Sequence, residues 1–191
     1  MEHIQDLIQA GKIEEAIQET ETKLSQLPQT DFHKIIGKDL LHLQPSLATF
    51  LNHFYEDMTE NEELDIKAIY IEMNSFTTQY QRWFFQLLAY DSLHSRDNLD
   101  WLTDFSGESE KTMTVTGYEA LQEANQKYME SEGYRDDNLR TACELQEYLV
   151  ILRAQELVKH TLAANKGKAP WASVTLFTSA HDYEDLMYIA K

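Results

Sequence analysis

Hydrophobic positions change their spacing along this chain, from a helical period to alternation and back again. Over the first 27 residues, apolar side chains recur every three or four positions on both sides of Gly11. This spacing predicts two short helices folded as a hairpin over residues 1–30. Asp31 is placed to cap a third helix. Pro45 predicts the start of a fourth helix, because proline is favoured in the first helical turn.

Two later segments alternate, which is the pattern of a β-strand. Residues 67–73 are rich in β-branched and aromatic side chains, and in residues 82–90 both alternating sets of side chains are largely apolar or aromatic. A strand with two apolar faces is covered on both sides. The polar turn between the segments predicts an antiparallel pair, so the five aromatic residues between positions 80 and 91 are expected in the core. Further short strands are predicted around residues 99–105 and 111–115.

The last third of the chain returns to a helical period. Thr116 and Glu119 have the spacing of a capping box, which predicts a helix start. A longer helix is predicted over residues 139–164. Its middle is apolar nearly all round, so this helix should lie buried across the sheet. A short strand is expected at residues 174–177, followed by a last helical turn or two.

These elements predict a single α+β domain over residues 1–191. We expect residues 1–30 to form a helical-hairpin appendage, with further helices after it, a central and mainly antiparallel sheet of three to five strands, and long C-terminal helices packed on the sheet. The stretch LIQAGKIEEAIQETETKL is similar to one helical-hairpin repeat of the tetratricopeptide kind. The chain has no second copy, and such repeats need neighbours to bury their faces. A packing appendage is therefore favoured over a peptide-binding solenoid.

Charge and cysteine content limit the classes of partner. The formal charge is −17, from 33 acidic and 16 basic residues, and such a field repels phosphate backbones and anionic membrane surfaces. We therefore expect no nucleic acid and no membrane as partner, and no apolar run approaches the roughly 18 residues of a membrane span. One cysteine, Cys143, permits no disulfide within the chain. Together with a start that lacks the features of a secretion signal, it favours a bacterial cytoplasmic protein.

No motif in the sequence names a reaction. Glycine-rich phosphate loops, a serine nucleophile elbow and the H-E-x-x-H zinc signature are absent. Two histidine–glutamate pairs share a helix face, as in half of a di-iron site: His53 with Glu56, and Glu156 with His160. The second half of such a site is missing, so we expect no metal and no cofactor. Residues 181–185 hold a histidine and three carboxylates, which would need a pocket to act as acid and base.

Acidic residues are concentrated in two segments. Residues 56–65 hold six acids and no base, and are expected to form an exposed loop. Residues 91–110 hold six acids against Arg96 alone, and include Trp101 and Phe105. An acidic surface with a partly exposed tryptophan suits a cationic protein partner, although Trp101 could instead fill the edge of the sheet. The predicted partner-binding residues are Glu60, Glu62, Glu63, Asp97, Asp100, Trp101 and Asp104.

Three functions fit these observations. The first is a non-catalytic, acidic cytosolic protein that binds and inhibits a basic protein, a general character shared by toxin-neutralising immunity proteins of bacteria. The second is a helical-hairpin adaptor or self-assembling module, which leaves a homo-oligomer open. The third is an enzyme or metal protein whose residues converge only in three dimensions.

Overall fold

Five α-helices and a six-stranded sheet make up the regular structure of the described residues, which are 2–94 and 99–191 of the computed structural model. The helices are α1 (Glu2–Gln9), α2 (Ile13–Ser25), α3 (Gln44–Glu60), α4 (Glu119–Glu130) and α5 (Asp137–Asn165). The strands are β1 (Ala68–Met73), β2 (Phe84–Tyr90), β3 (Gly107–Glu108), β4 (Met113–Thr114), β5 (Thr175–Ala180) and β6 (Tyr188–Ala190). The fold is α+β, as the sequence predicts, with one strand more than expected.

The sheet is mainly antiparallel, as predicted, but its central pair is parallel. Its strand order is β3-β2-β1-β5-β6, and β4 also pairs with β2. β1 and β2 form the predicted antiparallel hairpin, with Ala68 opposite Tyr90. β1 runs parallel to β5, with Ala68 beside Thr175. A parallel pair needs a long crossover connection, and here that connection contains β2, α4 and α5.

Helices cover one face of the sheet, which we call the inner face; the opposite side is the outer face. Alternation along β2 divides its side chains between the two. Phe85 and Leu87 are buried in the large cluster with the helices, whereas Leu88 and Tyr90 belong to a smaller cluster on the outer face. Trp83, just before β2, is fully buried on the inner side. Of the five aromatic residues predicted in the core, Trp83, Phe85 and Tyr90 are buried, whereas Tyr80 and Phe84 are only partly buried.

α5 is the central helix of the inner layer. Its middle is apolar nearly all round, and it packs against α2, α3 and β5. It begins at the N-cap Asp136, whose carboxylate accepts from two backbone N–H groups at 2.9 and 3.0 Å. α4 begins at Glu119, although the Thr116 hydroxyl contacts His42 Nε2 at 3.2 Å instead of capping the helix. Among the described helices, none combines the length and the apolar character that crossing a membrane requires.

The N-terminal hairpin packs into this helical layer. Its two apolar stripes, which include Ile4, Ile13 and Ile17, are buried in the same hydrophobic cluster as the inner face. Arg153 of α5 joins the hairpin through an ion pair with Glu21, with 2.8 Å between nitrogen and oxygen. α1 also contacts β6. The apolar side of the hairpin is therefore covered by the rest of this chain.

The segment after Asp31 does not form the predicted α-helix. It forms a 3-10 turn over Asp31–Ile35, and its N-cap is Thr30 rather than Asp31. The Thr30 hydroxyl accepts from the Phe32 N–H at 3.2 Å, and His33 Nδ1 accepts from the Thr30 N–H at 3.1 Å. Gly37 follows in the left-handed region with a φ of +74°, a conformation that ends helical structure.

Three other local predictions are wrong. Residues 99–105 hold a 3-10 turn, Asp100–Thr103, instead of a strand. The acidic stretch 56–65 begins inside α3, which continues to Glu60 before the loop. The predicted last helical turn is a short 3-10 turn followed by the edge strand β6. Periodicity over so few residues cannot separate a strand from a turn.

Candidate functional site

The outer face of the sheet changes character along its length. At one end, Tyr70, Leu88, Tyr90 and Phe177 form an apolar cluster that is covered by the turn at residues 99–103. At the other end, the same strands carry polar side chains, namely Glu72, Gln86 and Ser179, which are paired across the sheet. The helices leave this face uncovered. It is therefore the side on which a partner or ligand can reach the strands.

Trp101 lies on the apolar end of the outer face. Its ring centroid is 5.0 Å from that of Tyr90 and 5.5 Å from that of Phe177, both in edge-on contact. The Tyr90 hydroxyl donates to the Leu102 carbonyl at 2.7 Å, which fastens the 3-10 turn to the sheet. Burial raises the pKa of Tyr90 and keeps it a donor. Trp101 thus covers the sheet and stays only partly accessible.

The other predicted partner-binding residues lie on the surface around this end of the sheet. Glu60 is in the last turn of α3, and Glu62 and Glu63 follow in the loop. Asp100 is in the turn with Trp101, and Asp104 follows it. These five carboxylates are exposed, and we call them the acidic rim. Asp97, also predicted for the partner site, lies outside the described residues.

Two segments that are distant in the chain meet at the rim. The backbone of Ser106 donates to the Ala89 carbonyl at 2.8 Å, so the chain after Asp104 runs along the edge of β2. A Cβ atom placed on Gly107 would lie 2.5 Å from Met58 Sδ and 3.1 Å from Leu64 Cδ1. Glycine at this position therefore leaves room for the Met58 and Leu64 side chains. The contact packs the end of α3 and the loop after it against the start of β3, which follows the acids of residues 100–104 in the chain.

The histidine at the end of β5 pairs with a residue that the sequence analysis did not select. His181 Nδ1 lies 3.2 Å from Glu72 Oε1, and His181 Nε2 lies 3.8 Å from Asp182. The His181 backbone also donates to the Met73 carbonyl at 2.8 Å, so the pair sits at the carboxyl ends of β1 and β5. The hydrogen bond with Glu72 raises the pKa of His181, against the opposing effect of burial. The signal in the sequence was that Glu72 is the one charged residue of β1.

A cleft of about 340 Å³ opens beside the Glu72–His181 pair. The Asn74 side chain shapes one wall, because its carbonyl accepts from the Phe84 N–H at 2.7 Å and its amide donates to the Arg82 carbonyl at 3.2 Å. Gln86 lines the floor and donates to Glu108 at 2.9 Å. Other lining side chains are Ser75, Thr78 and Gln79. The described lining contains a carboxylate, amides and a phenyl ring, and neither lysine nor arginine.

A second unusual carboxyl, Glu147 of α5, is buried on the inner side. The Tyr183 hydroxyl donates to Glu147 Oε2 at 2.6 Å, and Cys143 Sγ lies 3.7 Å from Glu147 Oε1. Burial raises the pKa of Glu147 and the pKa of the Cys143 thiol. An un-ionised thiol is a poor nucleophile. This group therefore ties α5 to the segment after β5 rather than forming a reactive centre.

The histidine–glutamate pairs seen in the sequence do not assemble into a metal site. Glu156 accepts from Arg153 at 2.9 Å, and His53 and His160 are exposed. Within the part of the chain that the structure describes, no group of three or more histidine, cysteine or acidic side chains is placed to hold a metal ion.

Comparisons with protein-family models, curated proteins and solved structures found no match to this chain. Its function is therefore inferred from its own residues. Two features bear on that function: the acidic rim together with Trp101, and the cleft beside Glu72. Trp101 and the cleft share the outer face and lie toward opposite ends of β1 and β2.

Proposed function

We propose that this chain is a non-catalytic protein that binds a basic protein partner through the acidic rim and the adjoining outer face. The observation that carries the proposal is that the exposed acids Asp100 and Asp104 flank the partly accessible Trp101, with further exposed acids at residues 60–63 just before β1. Charged rim residues speed the encounter of two proteins, whereas packed aromatic residues hold the complex together. The rim and the tryptophan supply both parts.

Exposed apolar side chains on the same segment support this surface. Phe105 is 43% exposed and Leu93 is 44% exposed. They stand on either side of the turn that carries Trp101. Aromatic side chains buried at the centre of an interface contribute much of its binding free energy, while the surrounding residues exclude water.

A more specific form of the proposal is an inhibitor of a basic toxin or enzyme, acting in the cytoplasm. The charge of −17 favours fast association with a cationic protein. Cys143 is free and buried, which is compatible with a reducing compartment. Toxin-neutralising immunity proteins of bacteria have this general character.

A helical-hairpin adaptor is less well supported by the packing. A stacking module needs an unpartnered apolar face on its hairpin. Here Ile4, Ile8, Ile13 and Ile17 of the hairpin are all buried in the core of this chain. An adaptor would have to bind through the polar side of α1 and α2.

Affinity capture with matched charge-reversal variants tests the proposal. The rim variant carries Glu60→Lys, Glu62→Lys, Glu63→Lys and Asp104→Lys. The control variant carries Asp6→Lys, Glu15→Lys, Glu123→Lys and Glu130→Lys, which reverse four exposed acids on α1, α2 and α4. We expect a basic protein to be retained by the wild type and the control, and lost from the rim variant. The purified partner must then bind the purified chain directly. A direct partner retained equally by both variants would contradict the proposal.

A further inference from the structure

We propose that the cleft beside Glu72 is a binding site for an organic cation, a guanidinium or primary ammonium group carried on an alkyl chain. The proposal goes beyond the acidic rim, because the cleft lies at the other end of the outer face. It also has walls of its own, built from the β1–β2 turn and the end of β5.

The Glu72 carboxylate provides the charge for this site. Its Oε1 faces His181 Nδ1 at 3.2 Å, while its Oε2 makes no hydrogen bond to the described residues. The side chain is 23% exposed, and that exposure faces the cleft. A partly desolvated carboxylate with one unused oxygen is a strong acceptor for a charged N–H donor.

Other parts of the cleft also suit a cation. Glu108 adds a second carboxylate behind Gln86. The Phe84 ring forms an apolar wall against which the alkyl chain of the ligand can pack. The guanidinium of Arg82 lies over this ring at 5.0 Å and is held there by the hydroxyls of Thr112 and Thr114, so the ligand cation is assigned to Glu72 and not to the ring. The volume of about 340 Å³ is at the lower end of the range of roughly 300–1,000 Å³ for small-molecule sites.

His181 makes the site sensitive to pH. When protonated, it neutralises Glu72 from one side and competes with an added cation. When neutral, it leaves the carboxylate charge unopposed. The other charged groups that act on His181 are Asp182 and Glu184, and both favour its protonated form. Cation binding should therefore strengthen as the pH rises and His181 loses its proton.

The cation has two sources with the same chemistry. It can be a free alkylamine or alkylguanidine, or it can be the arginine or lysine side chain of a protein. In the second case the cleft would be part of the proposed partner-binding surface, which would then reach the open end of the outer face.

Titration of the full-length, nitrogen-15-labelled chain with ethylguanidinium chloride, followed by NMR, tests the site. We expect saturable shifts of the side-chain amides of Asn74, Gln79 and Gln86. Glu72→Gln should weaken binding about tenfold or more, because it removes a charge-assisted hydrogen bond. Glu62→Gln is the matched control, since it makes the same change of charge on the acidic rim, and it should leave the affinity unchanged.

The same NMR titration tests the dependence of cation binding on pH and the source of the cation. Between pH 5.5 and 8 the wild-type affinity should rise, and His181→Gln should remove most of that rise. Tighter binding of acetyl-Gly-Arg-Gly-amide than of ethylguanidinium would indicate a protein side chain, and weaker binding a free small cation. Shifts that do not saturate, or that Glu62→Gln reduces as much as Glu72→Gln does, would overturn the cleft proposal. The acidic rim would remain testable by capture, because its variants leave Glu72 in place.

Discussion

The same strands form both faces of the sheet, but different parts of the chain cover the two faces. Leu87 and Leu88 are neighbours on β2: the first is fully buried under the helices, and the second is 7% exposed beneath the turn that carries Trp101. The inner face is closed by a continuous helical layer. The outer face is half covered by an irregular segment and half open at Glu72. Packing is therefore most complete on the inner face, and the polar end of the outer face stays accessible.

Paired leucine truncations should give the largest effect and test this division of roles directly. Leu87→Ala should lower the free energy of unfolding by about 3–5 kcal/mol, because the helical layer cannot collapse into the cavity. Leu88→Ala should cost about 2 kcal/mol, because a short turn can move to fill the space. Urea denaturation with a check for equal m-values measures both. An equal or larger loss for Leu88→Ala would show that the outer face is as rigidly packed as the inner one.

Removal of the Trp101 ring should have an intermediate effect that stays on the outer face. Trp101→Ala should lower the free energy of unfolding by about 2 kcal/mol, since the ring is only partly buried and a fully buried one costs about 3–5 kcal/mol. Amide exchange should accelerate at Leu102 and not in α5. Phe105→Ala in the same segment is the control, and its exposed side chain should change stability by no more than about 0.5 kcal/mol. Accelerated exchange throughout α5 would contradict a local role.

The contrast between the faces also explains what could be predicted from the sequence. β1 and β2 were predicted to within two residues, because alternation reports burial on two sides. The parallel pairing of β1 with β5 was not, because it depends on contacts between residues far apart in the chain. β4 lies within the short strand predicted around residues 111–115, whereas β3 and β6, with two and three residues, are too short for alternation to be recognised.

The candidate sites divide in the same way. The acids of the rim were visible in the sequence as two dense segments, and the fold adds the contact of Gly107, which follows the second segment, with the Met58 and Leu64 side chains of the first. Glu72 was not identified as a site residue from the sequence, because its partner His181 lies at the end of another strand. The cluster at residues 181–185 drew attention instead to Asp182, Glu184 and Asp185, which follow His181 in sequence. Local density of chemical groups did not indicate which of them would meet across the sheet.

The buried carboxyl on the inner side should make stability fall with rising pH. Burial raises the pKa of Glu147 above its ordinary 4.5, so the folded state holds this proton more tightly than the unfolded state does. Its contribution is complete below pH 4.5 and is lost as the pH rises through the raised value. Glu147→Gln can still accept a hydrogen bond from Tyr183. As the pH rises, its free energy of unfolding should increase relative to that of the wild type by at most about 1.4 kcal/mol per pH unit. Parallel pH profiles for the two proteins would contradict a raised pKa of Glu147.

The His181–Glu72 pair on the outer face should have the smallest effect on stability. The raised pKa of His181 means that its contribution is present below its ordinary value of 6.5 and is lost as the pH rises through the raised value. The His181 side chain is 61% exposed, so solvent screens the pair and His181→Gln should remove no more than about 0.5 kcal/mol at pH 5.5, and less at pH 8. Urea midpoints at the two pH values measure this. A larger loss at pH 8 than at pH 5.5 would mean that the imidazole acts through packing.

The association rate of the captured partner with the acidic-rim variant tests the central claim most directly. We expect the Lys-substituted rim to slow association strongly, and salt to slow the wild type, because the Debye length falls from about 10 Å at 0.1 M to about 3 Å at 1 M. Trp101→Ala should instead speed dissociation, since packed aromatic residues govern the lifetime of a complex. An association rate that ignores both salt and the rim reversals would contradict the account, and would leave the acidic surface with a role in solubility alone.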